Sequence, residues 1–151
     1  MSHRLTGVTP RSYQEEAATW AGERDDAVIC LPTGSGKTLV GCMWACDVLA
    51  EPDVDRLLVL EPSRFLVEQV HEYLTTQTTI DAQRLYGTTP PQQRQAQWDT
   101  ATAVVTTPQT AFNDREALSF DAHSLTSVTI RLDSMRSPSS CGRTTLIGCW
   151  D

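Results

Sequence analysis

Residues 27 to 38 constrain this chain more than any other stretch. Ala27-Val28-Ile29-Cys30-Leu31 is an unbroken apolar run of strand length. A run without polar alternation fits a strand buried on both faces of a parallel sheet. Pro32-Thr33-Gly34-Ser35-Gly36-Lys37-Thr38 follows at once, and a helix-forming stretch continues from about Lys37 to Ala50, stopped by Pro52. Small residues let consecutive backbone N–H groups converge on one point, and the helix N-terminus adds a dipole that favours an anion there.

Strand, glycine-rich turn and helix in that order predict a phosphate-binding loop. Lys37 would neutralise charge on the β- and γ-phosphates, and the Thr38 hydroxyl would ligand Mg²⁺. The plainer alternative is a Gly-Ser-Gly turn joining a strand to a helix. The flanking elements and the adjacent Lys-Thr favour a nucleotide. One position departs from the general loop pattern: Leu31 stands where that pattern has Gly.

The rest of the first 122 residues alternates helix and strand. Arg11 to Ala21 predicts a helix ended by Gly22. Arg56-Leu57-Leu58-Val59-Leu60 predicts a second buried strand, and Pro62-Ser63 a turn and helix start backed by Phe65, Leu66 and Val70. Gln83 to Tyr86 is a third strand candidate, Pro90-Pro91 open a helix through Trp98, and Ala101 to Thr106 is a fourth strand ended by Pro108. This spacing means an α/β fold, a parallel sheet with covering helices.

Net charge is −7, which argues against a sequence-blind basic tail for nucleic acid while leaving room for a local polar groove. The twelve basic residues are eleven Arg and one Lys, so any role for a side-chain ammonium falls to Lys37. Many acids with almost no Lys is a balance met in proteins that work at high salt. No apolar run approaches the roughly 18 to 20 residues of a membrane span, and Met1-Ser2-His3-Arg4 leads into no signal-peptide core. Five cysteines form no recognised metal spacing; Cys42 and Cys46, one helical turn apart, read as core packing. Scattered thiols of odd number suggest a reducing, cytoplasmic setting.

Pro32 to Thr38 resembles motif I of superfamily 2 helicases and translocases, of the DEAD/DEAH type. Other segments agree in order. Arg11-Ser12-Tyr13-Gln14 resembles the Arg-x-Tyr-Gln element whose Gln reads the adenine edge. Glu61-Pro62-Ser63-Arg64-Phe65-Leu66-Val67 is similar to motif Ia. Tyr86-Gly87-Thr88 with Arg94 and Trp98 resembles the stretch that follows it, and Val105-Thr106-Thr107-Pro108-Gln109-Thr110 looks like motif Ib. The archaeal fork-DNA helicase–nuclease and its branch-migrating relatives match best, over about residues 9 to 122.

The resemblance implies a RecA-like P-loop NTPase domain, a parallel sheet with helices on both faces, here incomplete at the C-terminus. It implies ATP and Mg²⁺ as cofactors and nucleic acid, DNA before RNA, as the partner. Arg11, Gln14, Pro32, Thr33, Gly34, Ser35, Gly36, Lys37 and Thr38 would hold the nucleotide, with Lys37 and Thr38 acting in catalysis and Thr38 on the metal. Pro62, Ser63, Arg64, Gly87, Thr107, Pro108 and Gln109 would touch nucleic-acid phosphates through hydroxyls and helix N-termini. Taken singly, these turns read as helix caps, Gln14 as a solvated helix residue, and Arg94 as a surface residue.

A motor of this family also needs a strand ending in Asp-Glu-x-His, whose acids serve Mg²⁺ and the attacking water. It needs a second, similar domain. Neither is present. Asp133 followed by Ser134 is a poor substitute, and Arg131 is misplaced in a buried strand. Residues 1–122 carry 17 acids and 9 bases, whereas 123–151 carry 2 and 3, and only one strand, around Val128 to Leu132, is expected in the latter. Leu125 to Ile130 can be encoded CTG-ACG-AGT-GTC-ACC-ATC, which from the third base reads Asp-Glu-Cys-His-His. The sequence thus divides into a helicase part, 1–122, and an aberrant, out-of-frame tail, 123–151. Such a tail would strip the sheet of its later strands, leave an unsatisfied edge, and abolish ATP turnover. The competing readings are a P-loop kinase or other phosphotransferase, for which no Arg-rich lid is found, and a non-catalytic binding remnant.

Overall fold

The computed structural model of the protein describes residues 4–24, 26–52, 54–114, 125–131 and 144–148. The period-2 pattern of its strands decides the layering. In β2 (Arg56–Leu60), Leu57 and Val59 enter one core, while Leu58 and half-buried Leu60 join another. The strand Ala103–Thr106 divides the same way, with Ala103 and Val105 on one side and Val104 on the other. Helices α1 (Ser12–Gly22), α2 (Lys37–Val48) and α3 (Arg64–Gln77) close the first core through Ala18, Trp44, Val48, Val67 and Leu74. Helix α4 (Pro91–Thr100) closes the second through Trp98. Burying each large apolar side chain such as Leu57 contributes about 1.5–3 kcal/mol.

Completing the chain are β1 (Asp26–Cys30), β3 (Ala82–Arg84), β4 (the strand just described), α5 (Pro108–Asn113), β5 (Leu125–Arg131) and β6 (Thr144–Gly148). Among the described residues, six strands lie in the order β1-β6-β5-β2-β4-β3, and every pairing between them is parallel. All strands therefore end on one edge of the sheet, where the loops after β1, β2, β3 and β4 gather.

Two expectations are corrected. First, β1 is not buried on both faces: Ala27 and Ile29 are in the core, but Val28 is 56% exposed and Cys30 is exposed. The strand is at the sheet's edge, and no described helix covers its outer face. Second, two strands rather than the one expected around Val128 to Leu132 are described beyond residue 122. β5 pairs with β2 in the register Leu60↔Thr129, and β6 sits between β5 and β1. β6 was not foreseen. Both segments contain Thr and Ile, whose β-branched side chains suit a pleated backbone. Asp133, Ser134 and the boundary at 122 lie outside the described residues.

Cys42 and Cys46 are buried in α2, as the sequence suggested, and burial pushes their thiols up to about 12 and about 11. No helix among the described residues is long and apolar enough to cross a membrane.

Candidate nucleotide-binding site

Between β1 and α2 the chain makes the turn its glycines allow. Gly34 and Gly36 both have φ +78°, in the left-handed region that L side chains rarely adopt. At Gly36, the residue capping α2, an added Cβ would also lie 2.5 Å from Gln14 Nε2. Leu39 N–H is the first amide of α2 to bond back, at 3.0 Å to the Gly36 carbonyl. The amides before it are the free donors that every helix start presents.

Lys37 is buried, and its Nζ donates to the carbonyls of Leu31 (3.2 Å) and Pro32 (3.1 Å). The ammonium thus lies folded under its own loop. Ser35 Oγ is buried without a hydrogen-bond partner. Pro32, Thr33 and Gly34 are exposed, and Thr38 is half-buried on the first turn of α2. A convergent set of amides, one cation and one spare hydroxyl suits a polyphosphate. Among the described residues no group of three His, Cys, Asp or Glu could hold a metal ion.

Gln14 differs from the solvated residue its sequence position suggests. It is 5% exposed; Oε1 accepts from Arg11 N–H at 2.8 Å and Nε2 donates to the Ser35 carbonyl at 2.8 Å. Tyr13 Oη donates to the same carbonyl at 2.6 Å. Arg11 is exposed at the start of α1. Gln14 and the loop are thus brought together, and Tyr13, a member of the same sequence element to which no role was assigned, joins them.

The second group of candidates also converges. Ser63 caps α3 by accepting from Leu66 N–H (3.3 Å), and Thr107 caps α5 by accepting from Thr110 N–H (3.3 Å). Glu61 N–H bonds the Thr106 carbonyl (2.9 Å), and the Thr106 hydroxyl bonds the Leu85 carbonyl (2.9 Å). Arg64 stacks over the Tyr86 ring at 4.2 Å, and Tyr86 donates to Glu68. Pro62, Ser63, Arg64, Gly87, Pro108 and Gln109 are exposed and Thr107 half-buried. Gln109 spends its Nε2 on Asn113 (3.0 Å). Two strands, β6 and β5, lie between β1 and β2, so the nearest of these loops is roughly 14 Å from the phosphate loop at the usual strand spacing.

Arg94 is not a surface residue. Its guanidinium is clamped between both Asp114 oxygens (2.6 and 2.5 Å) and the carbonyls of Gly87 and Thr89. The Asp114 hydrogen bonds hold its pKa up. Arg94 therefore fixes the Gly87 turn rather than facing a ligand.

Glu61 was quoted only as part of a motif, yet it is 0% exposed and neither carboxylate oxygen has a hydrogen-bond partner. Burial pushes its pKa up to about 8. The folded protein therefore keeps a proton that the unfolded chain releases near 4.5. Stability from this group is full below that value and is lost as pH rises towards 8, at roughly 1.4 kcal/mol per pH unit at most. Glu61→Gln, which imitates the protonated acid, is expected to raise the melting temperature at pH 9 and leave it nearly unchanged at pH 5. Equal shifts at both values would sink the assignment.

Comparisons with known proteins point one way. The sequence profile of the DEAD/DEAH box helicase family matches residues 11–129. The Lhr helicase/probable uracil glycosylase of Mycolicibacterium smegmatis is 29% identical over 126 residues, covering 70% of this chain and 8% of that protein. The Hef helicase domain of Pyrococcus furiosus superposes with a TM-score of 0.73 at 25% identity, over 93% of this chain and 32% of that one. A DEAD box protein from Methanococcus jannaschii superposes with a TM-score of 0.67 at 19% identity, over 82% and 35%. The chain thus spans about a third of these structures and a small fraction of the Mycolicibacterium protein.

Proposed function

The chain belongs to the DEAD/DEAH box helicase family, matched over residues 11–129, and we propose that it supplies the ATP-binding part of a DNA helicase or translocase of the repair type. The phosphate loop carries this reading: two left-handed glycines, a helix N-terminus behind them, a buried lone ammonium and a buried hydroxyl with no partner. Gly34 to Thr38 would cradle the triphosphate through backbone amides, and Lys37 would leave the Leu31 and Pro32 carbonyls for phosphate oxygens. Mg²⁺, when bound beside Thr38, would neutralise charge on the β- and γ-phosphates. Arg11 and Gln14 would meet the base.

The loops at Pro62–Arg64, Gly87 and Thr107–Gln109 would grip a strand backbone. Two of them present helix N-termini with hydroxyl caps, which bind phosphate without reading sequence. A net charge of −7 fits a grip made by amides and hydroxyls rather than by a broad basic face. DNA is favoured over RNA by the resemblance to fork-DNA helicases.

Hydrolysis is not expected from this chain. No Asp-Glu-x-His occurs in it, and the family match stops at 129, inside β5, where that motif is due. An out-of-frame tail explains both. Calorimetry on the folded protein should register ATP and ADP binding, with no nucleic-acid-stimulated phosphate release. Absent heat for both nucleotides rejects the site, and brisk ATP turnover rejects the defect. The codons for Leu125 to Ile130 decide the frame: they must spell Asp-Glu-x-His when read from the third base.

A further inference from the structure

A peptide plane links the Ser35 carbonyl to the Gly36 amide. The peptide is trans, so C=O and N–H point in opposite directions and turn together. Two donors from α1 fall on that one oxygen: Tyr13 Oη at 2.6 Å and Gln14 Nε2 at 2.8 Å. Together they occupy both lone pairs of the carbonyl. Pulling the oxygen towards α1 turns the Gly36 N–H the other way, to the side of the loop where a phosphate would sit. Gly36 holds φ +78°, a conformation with few restraints of its own, and glycine would otherwise sample both orientations of this plane. Gln14 is in turn fixed by Arg11 N–H, whereas Tyr13 is half-buried.

We propose that Tyr13 is a positioning residue of the phosphate loop, its hydroxyl setting the Ser35–Gly36 peptide so that the Gly36 amide faces the triphosphate. The proposal rests on the loop being a phosphate site. It adds a residue that neither touches the nucleotide nor reads its base. It also implies that much of Gln14's hydrogen-bonding capacity goes to the loop, so the two neighbours act on phosphate affinity together.

The test is titration of the wild-type chain and of Tyr13→Phe with three probes: Mg²⁺–ATP, Mg²⁺–GTP and inorganic tripolyphosphate, which has no base. Loss of one hydrogen bond to the loop is expected to weaken all three by the same factor, about 2- to 12-fold. The Gly36 amide resonance should move in Tyr13→Phe while those of Gly22 and Gly41 stay in place, a change that a purely structural loss of stability would not single out. Gln14→Ala should weaken tripolyphosphate as well as ATP. Unchanged affinity of Tyr13→Phe for all three probes overturns the positioning role alone, as does a loss confined to ATP. A folded wild-type protein that binds none of the probes overturns the phosphate site and this role with it.

Discussion

Replacing Lys37 with alanine is expected to weaken ATP binding by about 30- to several-thousand-fold, the range set by losing roughly 2–5 kcal/mol of ammonium–phosphate interaction. The fold should barely register the change. Among the described residues the ammonium bonds the Leu31 and Pro32 carbonyls, both within the loop itself. The two readouts therefore separate: ligand-induced thermal stabilisation disappears while the unliganded melting temperature stays within a few degrees. Lys37→Arg should not rescue binding, because a planar guanidinium cannot fold beneath so tight a loop. Lys37 is the only lysine of the chain, so an amine-acylating probe reports on it with little background beyond the N-terminus. ATP should protect it. Retained affinity in Lys37→Ala would mean that the nucleotide, if bound at all, is bound elsewhere.

The second large effect is on stability. Arg94→Ala should lower unfolding free energy by up to about 3–5 kcal/mol, since it leaves the largely shielded Asp114 carboxylate without its ion-pair partner. Arg94 and Asp114 side chains are 11% and 10% exposed, which places the pair nearer the buried than the exposed regime. Against a total of about 5–15 kcal/mol for a domain, this is enough to unfold a large fraction of the protein near its working temperature. Arg94→Lys should recover only part of the loss, because one ammonium cannot serve two carboxylate oxygens and two carbonyls at once. Arg94→Leu combined with Asp114→Leu should recover more than either single change. Denaturant midpoints measure each variant. A loss below about 1 kcal/mol in Arg94→Ala would return the residue to the surface role its sequence suggested.

Arg94 also shows how the candidate strand-binding loops depend on the fold. It ties the Gly87 turn to the end of α5, two segments that meet only because β3 and β4 are neighbours. Neither contact could be read from the position of Arg94 in α4. Glu61 is similar. Its place at the end of an apolar strand was visible, but its orphaned carboxylate was not, because solvation depends on the strands and helices packed around it.

The local geometry was written in residue types. An apolar five-residue run, two glycines free to take positive φ, one lysine and a helix former follow one another within twelve positions, and short-range sterics suffice to make strand, loop and helix. Alternation in Leu57 to Leu60 and in Ala103 to Thr106 likewise fixed which side chains part to which face, because successive residues of a strand must point apart. Distance in the chain hid the rest. Tyr13 reaches Ser35 across 22 positions and Arg94 reaches Asp114 across 20. β6 slots between β1 and β5, and an apolar β1 ends at an edge with Val28 in solvent. Such contacts are settled by which segments the packed sheet brings together, a long-range choice that no local pattern of residues encodes.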